Sequence, residues 1–153
     1  MEPTLGFLLS DVSRLMRRAF DQQAAKIGLS LAQCRALIYL ARNEGINQAG
    51  LAELLEIQPI SLARLLDRMG GNGWIERRAD PADRRVHRLY LTDKARPVLE
   101  QVRALAAEIR ANATVGLAPE QVTVVMTALR TMHSNLVAGS PATAQDSEND
   151  QAH

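Results

Sequence analysis

Apolar residues recur at a helical period along almost the whole chain, and the period changes once, between Gly70 and Leu91. Upstream, Leu5, Leu8, Leu9, Val12, Leu15, Met16, Ala19 and Phe20 mark a first helix that starts near Pro3 and Thr4 and ends by Gly28. Ser30 with Gln33 reads as a capping box, and Cys34, Leu37, Ile38 and Ala41 carry the second helix to Asn43 and Gly45. Asn47 caps a short third helix with Leu51, Ala52, Leu54 and Leu55 inward. Pro59 opens a fourth that buries Leu62, Leu65, Leu66 and Met69. Then Gly70, Gly71, Asn72 and Gly73 break the pattern. Trp74 to Arg78 and Val86 to Leu91 read as two strands, joined by a turn rich in Asp80, Pro81 and Asp83. Leu89 and Leu91 share one face of the second strand, and Arg88 and Tyr90 the other. Thr92 is expected to cap a long helix running to about Gly116, and a last helix starts at Pro119, after an Ala118 that lacks a capping side chain.

The fold class is therefore mainly α, with six helices and a two-stranded hairpin wing after the fourth. Only Glu56, Ile57 and Gln58 separate the third and fourth helices, which is the spacing of a helix-turn-helix. A single domain is expected over residues 1 to 136. Dimerisation helices cover about 4 to 27 and 92 to 136, and a winged lobe about 30 to 91. The two terminal helical regions are longer than the domain needs for its own core, so their apolar faces are expected to meet a second copy. From about residue 137 the composition loses all apolar periodicity, and residues 137 to 153 are expected to form a disordered acidic tail.

The formal net charge of +1 conceals a division. Between Gln58 and Arg96 nine basic residues face five acidic ones, whereas Asp146, Glu148 and Asp150 make the tail acidic. Sixteen of the 18 basic residues are Arg, whose fork suits phosphates and guanine edges, although codon bias alone gives the same excess. One cysteine and three scattered histidines supply neither a disulfide nor a metal site, so no cofactor is expected. No stretch approaches the roughly 20 apolar residues of a membrane span. Met1 to Ser10 lacks the features of a secretory signal, so a cytoplasmic protein is expected. No set of nucleophile, base and acid converges by spacing, and Gly70, Gly71 and Gly73 lack the Lys and Ser/Thr of a phosphate loop, so no enzyme is expected.

Ser61, Arg64 and Arg68 fall at steps of three and four on the polar face of the fourth helix. In a helix-turn-helix, Pro59, Ile60, Ser61 and Arg64 would face base edges or thymine methyls, and Arg68 a phosphate. The alternative is a solvated face with local ion pairs. At the hairpin tip, Arg84 and Arg85 suit the narrow, electronegative minor groove, with Asp83 as turn former and as the partner that aims a neighbouring Arg. Arg88 joins these as a wing contact; like Arg77 and Arg78, it also serves the alternative of protecting a strand edge.

The run LAELLEIQPISLARLLDRMGGNGWIERRADPADRRVHRLYLT, Leu51 to Thr92, resembles the MarR family of bacterial winged helix-turn-helix regulators, and within it the SlyA-like branch. Its specific element is D-x-R, five residues, then L-T: here Asp83, Arg85, Leu91 and Thr92. The resemblance implies a transcriptional regulator, a repressor in the usual case, that binds a pseudo-palindromic operator as a homodimer. Fourth helices would lie in successive major grooves and wings in the flanking minor grooves. It makes Arg84 and Arg85 the wing residues, Ser61 and Arg64 recognition contacts, and Asp67 and Asp83 the acids that steady the wing. It also implies release by a small, often aromatic, anion in a cleft lined from the first, second and fifth helices. Arg14, Arg17 and Arg18 with Arg35 and Tyr39 offer charge and a ring there, unless they form an ordinary solvated face. Two further readings stand beside this one. One is a winged helix used for protein contact alone, and the other a redox sensor acting through Cys34, which lies on an apolar stripe where a buried hydrophobe is the commoner role.

Overall fold

The computed structural model describes residues 1–139, so the expected tail lies almost wholly outside the described residues. The elements are α1 (Leu5–Lys26), α2 (Leu31–Arg42), α3 (Gln48–Leu55), α4 (Pro59–Gly71), β1 (Ile75–Ala79), β2 (His87–Leu91), α5 (Ala95–Ala113) and α6 (Pro119–Val137). They divide into two units, Met1–Ala113 and a second from Thr114 onward that holds α6.

Local chemistry sets most of the helix starts. The Thr4 hydroxyl accepts the Phe7 N–H at 3.4 Å. Ser30 and Gln33 exchange both bonds of a capping box, at 3.1 and 2.9 Å. Asn47 Oδ1 accepts the Gly50 N–H at 2.7 Å, and Pro59 stands at the first turn of α4. Ala118 has no capping side chain, but Gln121 Oε1 accepts its N–H at 2.8 Å, which covers one donor of the α6 start.

The glycine cluster stops α4 later than the sequence pattern predicts. Gly70 and Gly71 are helical, and the stop is Gly73 at φ +76. Its N–H bonds to the Gly70 carbonyl at 2.9 Å and the Trp74 N–H to that of Met69 at 3.0 Å, the paired bonds of a Schellman end. The turn after α3 closes in the same way, with Glu56 N–H to the Glu53 carbonyl and Ile57 N–H to that of Ala52. There the left-handed position is held by Glu56 at φ 55, the one non-glycine residue at positive φ among those described. Such a backbone disfavours an L side chain by about 1 to 2 kcal/mol.

Both strands begin one residue later than expected, and α5 is shorter at both ends. Thr92 does not cap α5. Its hydroxyl donates to the Gly73 carbonyl and its N–H to that of Trp74 at 3.0 Å, so it ties the exit of β2 to the end of α4. β1 and β2 pair antiparallel from Ile75 opposite Leu91 to Ala79 opposite His87. On its other edge β2 meets the α2–α3 connection. There the Gly45 N–H donates to the Leu89 carbonyl at 2.8 Å, and the Leu89 N–H to that of Ile46 at 2.9 Å. This third backbone partner has no signature in the sequence pattern, where Gly45 reads only as a helix stop.

The core of the first unit gathers around α2. Leu37, Leu40, Leu51, Leu62, Leu66, Met69, Leu89 and Val102 are fully buried, with Cys34 among them. Leu62, Leu66 and Met69 fix the inner face of α4, and Leu89 anchors the wing to the same core, so the hairpin is held beside α4 by apolar burial. The terminal helices differ. Of α1 only Ala24 is buried, and α6 has no buried residue, while Leu5, Phe7, Leu8, Leu9, Val12 and Leu15 on α1 and Val124, Val125, Leu136 and Val137 on α6 are exposed.

Candidate nucleic-acid interface

Burial of Leu62, Leu65, Leu66 and Met69 leaves the opposite face of α4 to Pro59, Ile60, Ser61, Arg64, Asp67 and Arg68, all exposed. Ile60 is 65% exposed, an apolar side chain at the leading end of a helix whose inner face is already packed. Arg68 Nε donates to the Arg64 carbonyl at 3.4 Å, which lays its side chain along the helix.

The acids from Asp67 on α4 to Asp93 after β2 have specific employments. Asp67 Oδ1 takes Arg77 Nη2 at 2.9 Å, a bridge from α4 to β1. Glu76 pairs with Arg78 at 3.1 Å, and the Arg78 guanidinium lies 4.2 Å from the centre of the Tyr90 ring. The hydrogen bond from Arg78 holds the Glu76 carboxyl below the usual range. Asp80 Oδ2 pairs with Arg88 at 2.8 Å, and the Ala82 N–H first and then Arg88 hold the Asp80 carboxyl down. Asp93 pairs with Arg96 at 3.4 Å. Asp83 Oδ1 accepts the Arg85 N–H at 3.0 Å, so Asp83 shapes the tip through the backbone and takes no guanidinium. The acid that aims an Arg at the wing is Asp80, three residues earlier.

The result is a sorted set of cations. Arg77, Arg78, Arg88 and Arg96 each have a carboxylate, whereas Arg64, Arg68, Arg84 and Arg85 have no ion pair among the described residues. Arg88 is further committed by Nη1 to the Gly45 carbonyl at 3.0 Å. Arg85 borders a hollow of about 260 Å³ with Asn47, Gln48 and Ala49 at the start of α3, so its side of the wing adjoins the helix-turn-helix.

A second recess, about 220 Å³, opens between α1, α2 and α5. Met16, Phe20, Leu31, Ile38, Ala106 and Ile109 make apolar walls, with Arg17 and Arg35 the charged residues. Of the five side chains that the sequence suggests for such a cleft, Arg17 and Arg35 line it, and Tyr39 packs under Arg35 at 5.8 Å, outside the lining. Arg14 does not reach it and pairs with Asp11 at 3.3 Å; Arg18 is exposed and also absent from the lining. Cys34 is fully buried, and burial, with a smaller push from Asp21, raises its thiol to about 11, so it is protonated and shielded at neutral pH. Among the described residues no group of His, Cys, Asp and Glu is placed to hold a metal, and no helix is long and apolar enough to cross a membrane.

This architecture has solved relatives. The transcriptional regulator PA3341 is 31% identical, with 88% of this chain and 99% of that one matched at a TM-score of 0.75. Apo MarR of E. coli is 24% identical over 86% of this chain and 98% of its own, at 0.77. A MarR family protein of Mycobacterium tuberculosis, solved in complex with p-aminosalicylic acid, is 21% identical over 86% and 99%, at 0.73. The MarR family model matches residues 29–87, from just before the α2 cap to the first residue of β2. With the six-helix order, the hairpin after α4 and these matches, the chain belongs to the MarR family of winged helix transcriptional regulators.

Proposed function

We propose that the chain binds a pseudo-palindromic operator as a homodimer and represses transcription there, with α4 in the major groove and the wing in the adjacent minor groove. The observation that carries this reading is the sorting of the cations from α4 to the start of α5: the acids from Asp67 to Asp93 are engaged with Arg77, Arg78, Arg88, Arg96 and the tip backbone, which leaves Arg64, Arg68, Arg84 and Arg85 unneutralised. Pro59, Ile60, Ser61 and Arg64 read bases, Arg68 meets a phosphate, and Arg84 and Arg85 enter the minor groove. Arg88, Asp67 and Asp83 hold the wing in place. The exposed apolar rows of α1 and α6 supply the contact with the second copy, and with α5 form the dimerisation region, while residues 30 to 91 form the DNA-binding lobe. Such a regulator works in the cytoplasm.

The recess between α1, α2 and α5 is the effector site. An aromatic carboxylate suits it, with the ring against Phe20, Ile38 and Ile109 and the carboxylate drawing in Arg17 and Arg35, which border the recess through largely apolar surface. The p-aminosalicylic acid held by the M. tuberculosis relative is of this class.

The test is a selection of duplexes from a random pool, followed by titration of an enriched and a scrambled duplex between roughly 50 and 200 mM salt. Affinity falling by orders of magnitude, with preference for the enriched duplex, is expected of a dimer that contacts several phosphates. A flat response with no enrichment favours a winged helix used for protein contact alone.

A further inference from the structure

Arg35 forms part of two hollows. Besides the α1–α2–α5 recess, it borders a second one of about 120 Å³ with Leu31, Ala32, Leu55, Ile57 and Leu65. Leu55 and Ile57 flank Glu56, and Leu65 comes from the buried face of α4, so this hollow lies under the corner of the helix-turn-helix. Apart from Arg35 its lining is aliphatic, and Arg35 has no carboxylate partner among the described residues. Interior apolar cavities of about 150 Å³ admit a benzene ring. A slightly smaller hollow that is open on one side takes a ring or a short alkyl chain.

We propose that this hollow is a second ligand site, for a small aryl or short-chain carboxylate whose anion bonds Arg35 and whose apolar body lies between Leu31, Leu55, Ile57 and Leu65. The proposal rests on the effector reading above, because Arg35 borders both hollows. Two consequences follow. An anion on one side draws Arg35 from the other, so the two sites bind with negative coupling. A body in the small hollow packs against both residues that flank the left-handed Glu56, so it acts on the corner that sets α4 against α3.

The experiment is a titration of the full chain with benzoate, read by methyl NMR and by calorimetry. The Leu55 and Leu65 methyls report the small hollow, and the Met16 and Ile109 methyls the recess. Ala32→Phe fills the mouth of the small hollow from an exposed helix position, and Ala106→Phe fills the recess; each spectrum also shows that its variant folds. Expected are two sets of shifts in the wild type. Ala32→Phe loses the Leu55 and Leu65 response, with affinity there down at least about tenfold, and binds benzoate more tightly in the recess. Ala106→Phe shows the converse. An Ala32→Phe titration identical to the wild type overturns the second site and leaves the recess standing. Loss of all binding in Ala32→Phe with none in Ala106→Phe overturns the recess reading and leaves the small hollow. Independent binding at the two sites overturns the shared role of Arg35, and no shift in either group overturns both sites for carboxylates of this class.

Discussion

Arg88 is held at three of its nitrogens: Asp80 Oδ2 accepts Nη2 at 2.8 Å and Nε at 2.9 Å, and the Gly45 carbonyl accepts Nη1 at 3.0 Å. The Asp80 side chain is 13% exposed, so this bond is better shielded than the other ion pairs of the lobe. Arg88 thus links the base of the wing tip to the α2–α3 connection, where Gly45 also pairs with β2 through its backbone.

That arrangement separates positioning from contact. In Arg88→Met the wing loses its brace but the DNA loses no phosphate partner. Operator affinity should fall about tenfold, with the slope of log affinity against log salt unchanged. Binding measured by anisotropy across a salt series gives both numbers. A slope smaller by about one would make Arg88 a phosphate contact.

Arg64 and Arg85 should behave differently from Arg88 and from each other. Arg85→Ala weakens operator and random duplex alike and reduces the salt slope by about one. Arg64→Ala also relaxes discrimination at one base position in each half-site, by about 1 to 3 kcal/mol. Competition with duplexes substituted at single positions measures this, and equal losses on all of them would remove Arg64 from base reading.

Cys34 makes a prediction in pH. Its folded value of about 11 lies above the ordinary 9.0, so the unfolded chain gives up the proton first as pH rises. The stability that comes from keeping the thiol protonated is full below pH 9 and is lost as pH rises through about 11, a swing of roughly 2 to 3 kcal/mol. Urea unfolding across that window should show the decline in the wild type and a smaller one in Cys34→Ala. Labelling of the native thiol at neutral pH should wait on unfolding. Rapid labelling would restore the redox reading.

Features that act within a few residues are legible in the sequence, and those that depend on chain closure are not. Ser30 with Gln33, Asn47 and Pro59 announce helix starts because a cap acts within three or four residues, and those residues lie together in the chain. The inner face of α4 was legible for the same reason. Thr92 had the chemistry of a cap, but the Gly73 carbonyl, 19 residues away, took its hydroxyl. Asp80 and Asp83 are both turn formers, and only closure of the hairpin decides which one meets a guanidinium. Arg14, Arg17 and Arg18 span just over one helix turn, and Arg17 points about 60° from Arg14 and about 100° from Arg18, so the packing of α1 on α2 and α5 selects Arg17 for the recess. The partnership of Gly45 and Leu89 joins segments that no periodicity connects.

Glu56 supplies a test of the helix-turn-helix corner by itself. Glycine accepts the left-handed backbone at φ 55 without the side-chain penalty, although its freer unfolded chain returns part of the gain. Glu56→Gly should raise stability by about 0.5 to 1 kcal/mol in urea unfolding. A loss of that size would mean that the Glu56 side chain contributes more than its backbone geometry costs.

The terminal helices carry the last prediction. Leu8 and Val12 are four residues apart on α1 and about half exposed, so Asp at either position leaves the core around α2 untouched. If these rows meet a second copy, Leu8→Asp with Val12→Asp places buried charges in the interface, and the chain should sediment as a monomer at concentrations where the wild type is a dimer. Its thermal unfolding measured as a monomer should stay cooperative, because Leu37, Leu62, Met69 and Val102 keep their packing. DNA binding should then show the linked loss expected when one lobe in place of two meets the operator: affinity down by orders of magnitude and a salt slope near half that of the wild type. A variant that remains dimeric with full operator affinity would move the interface away from this face of α1.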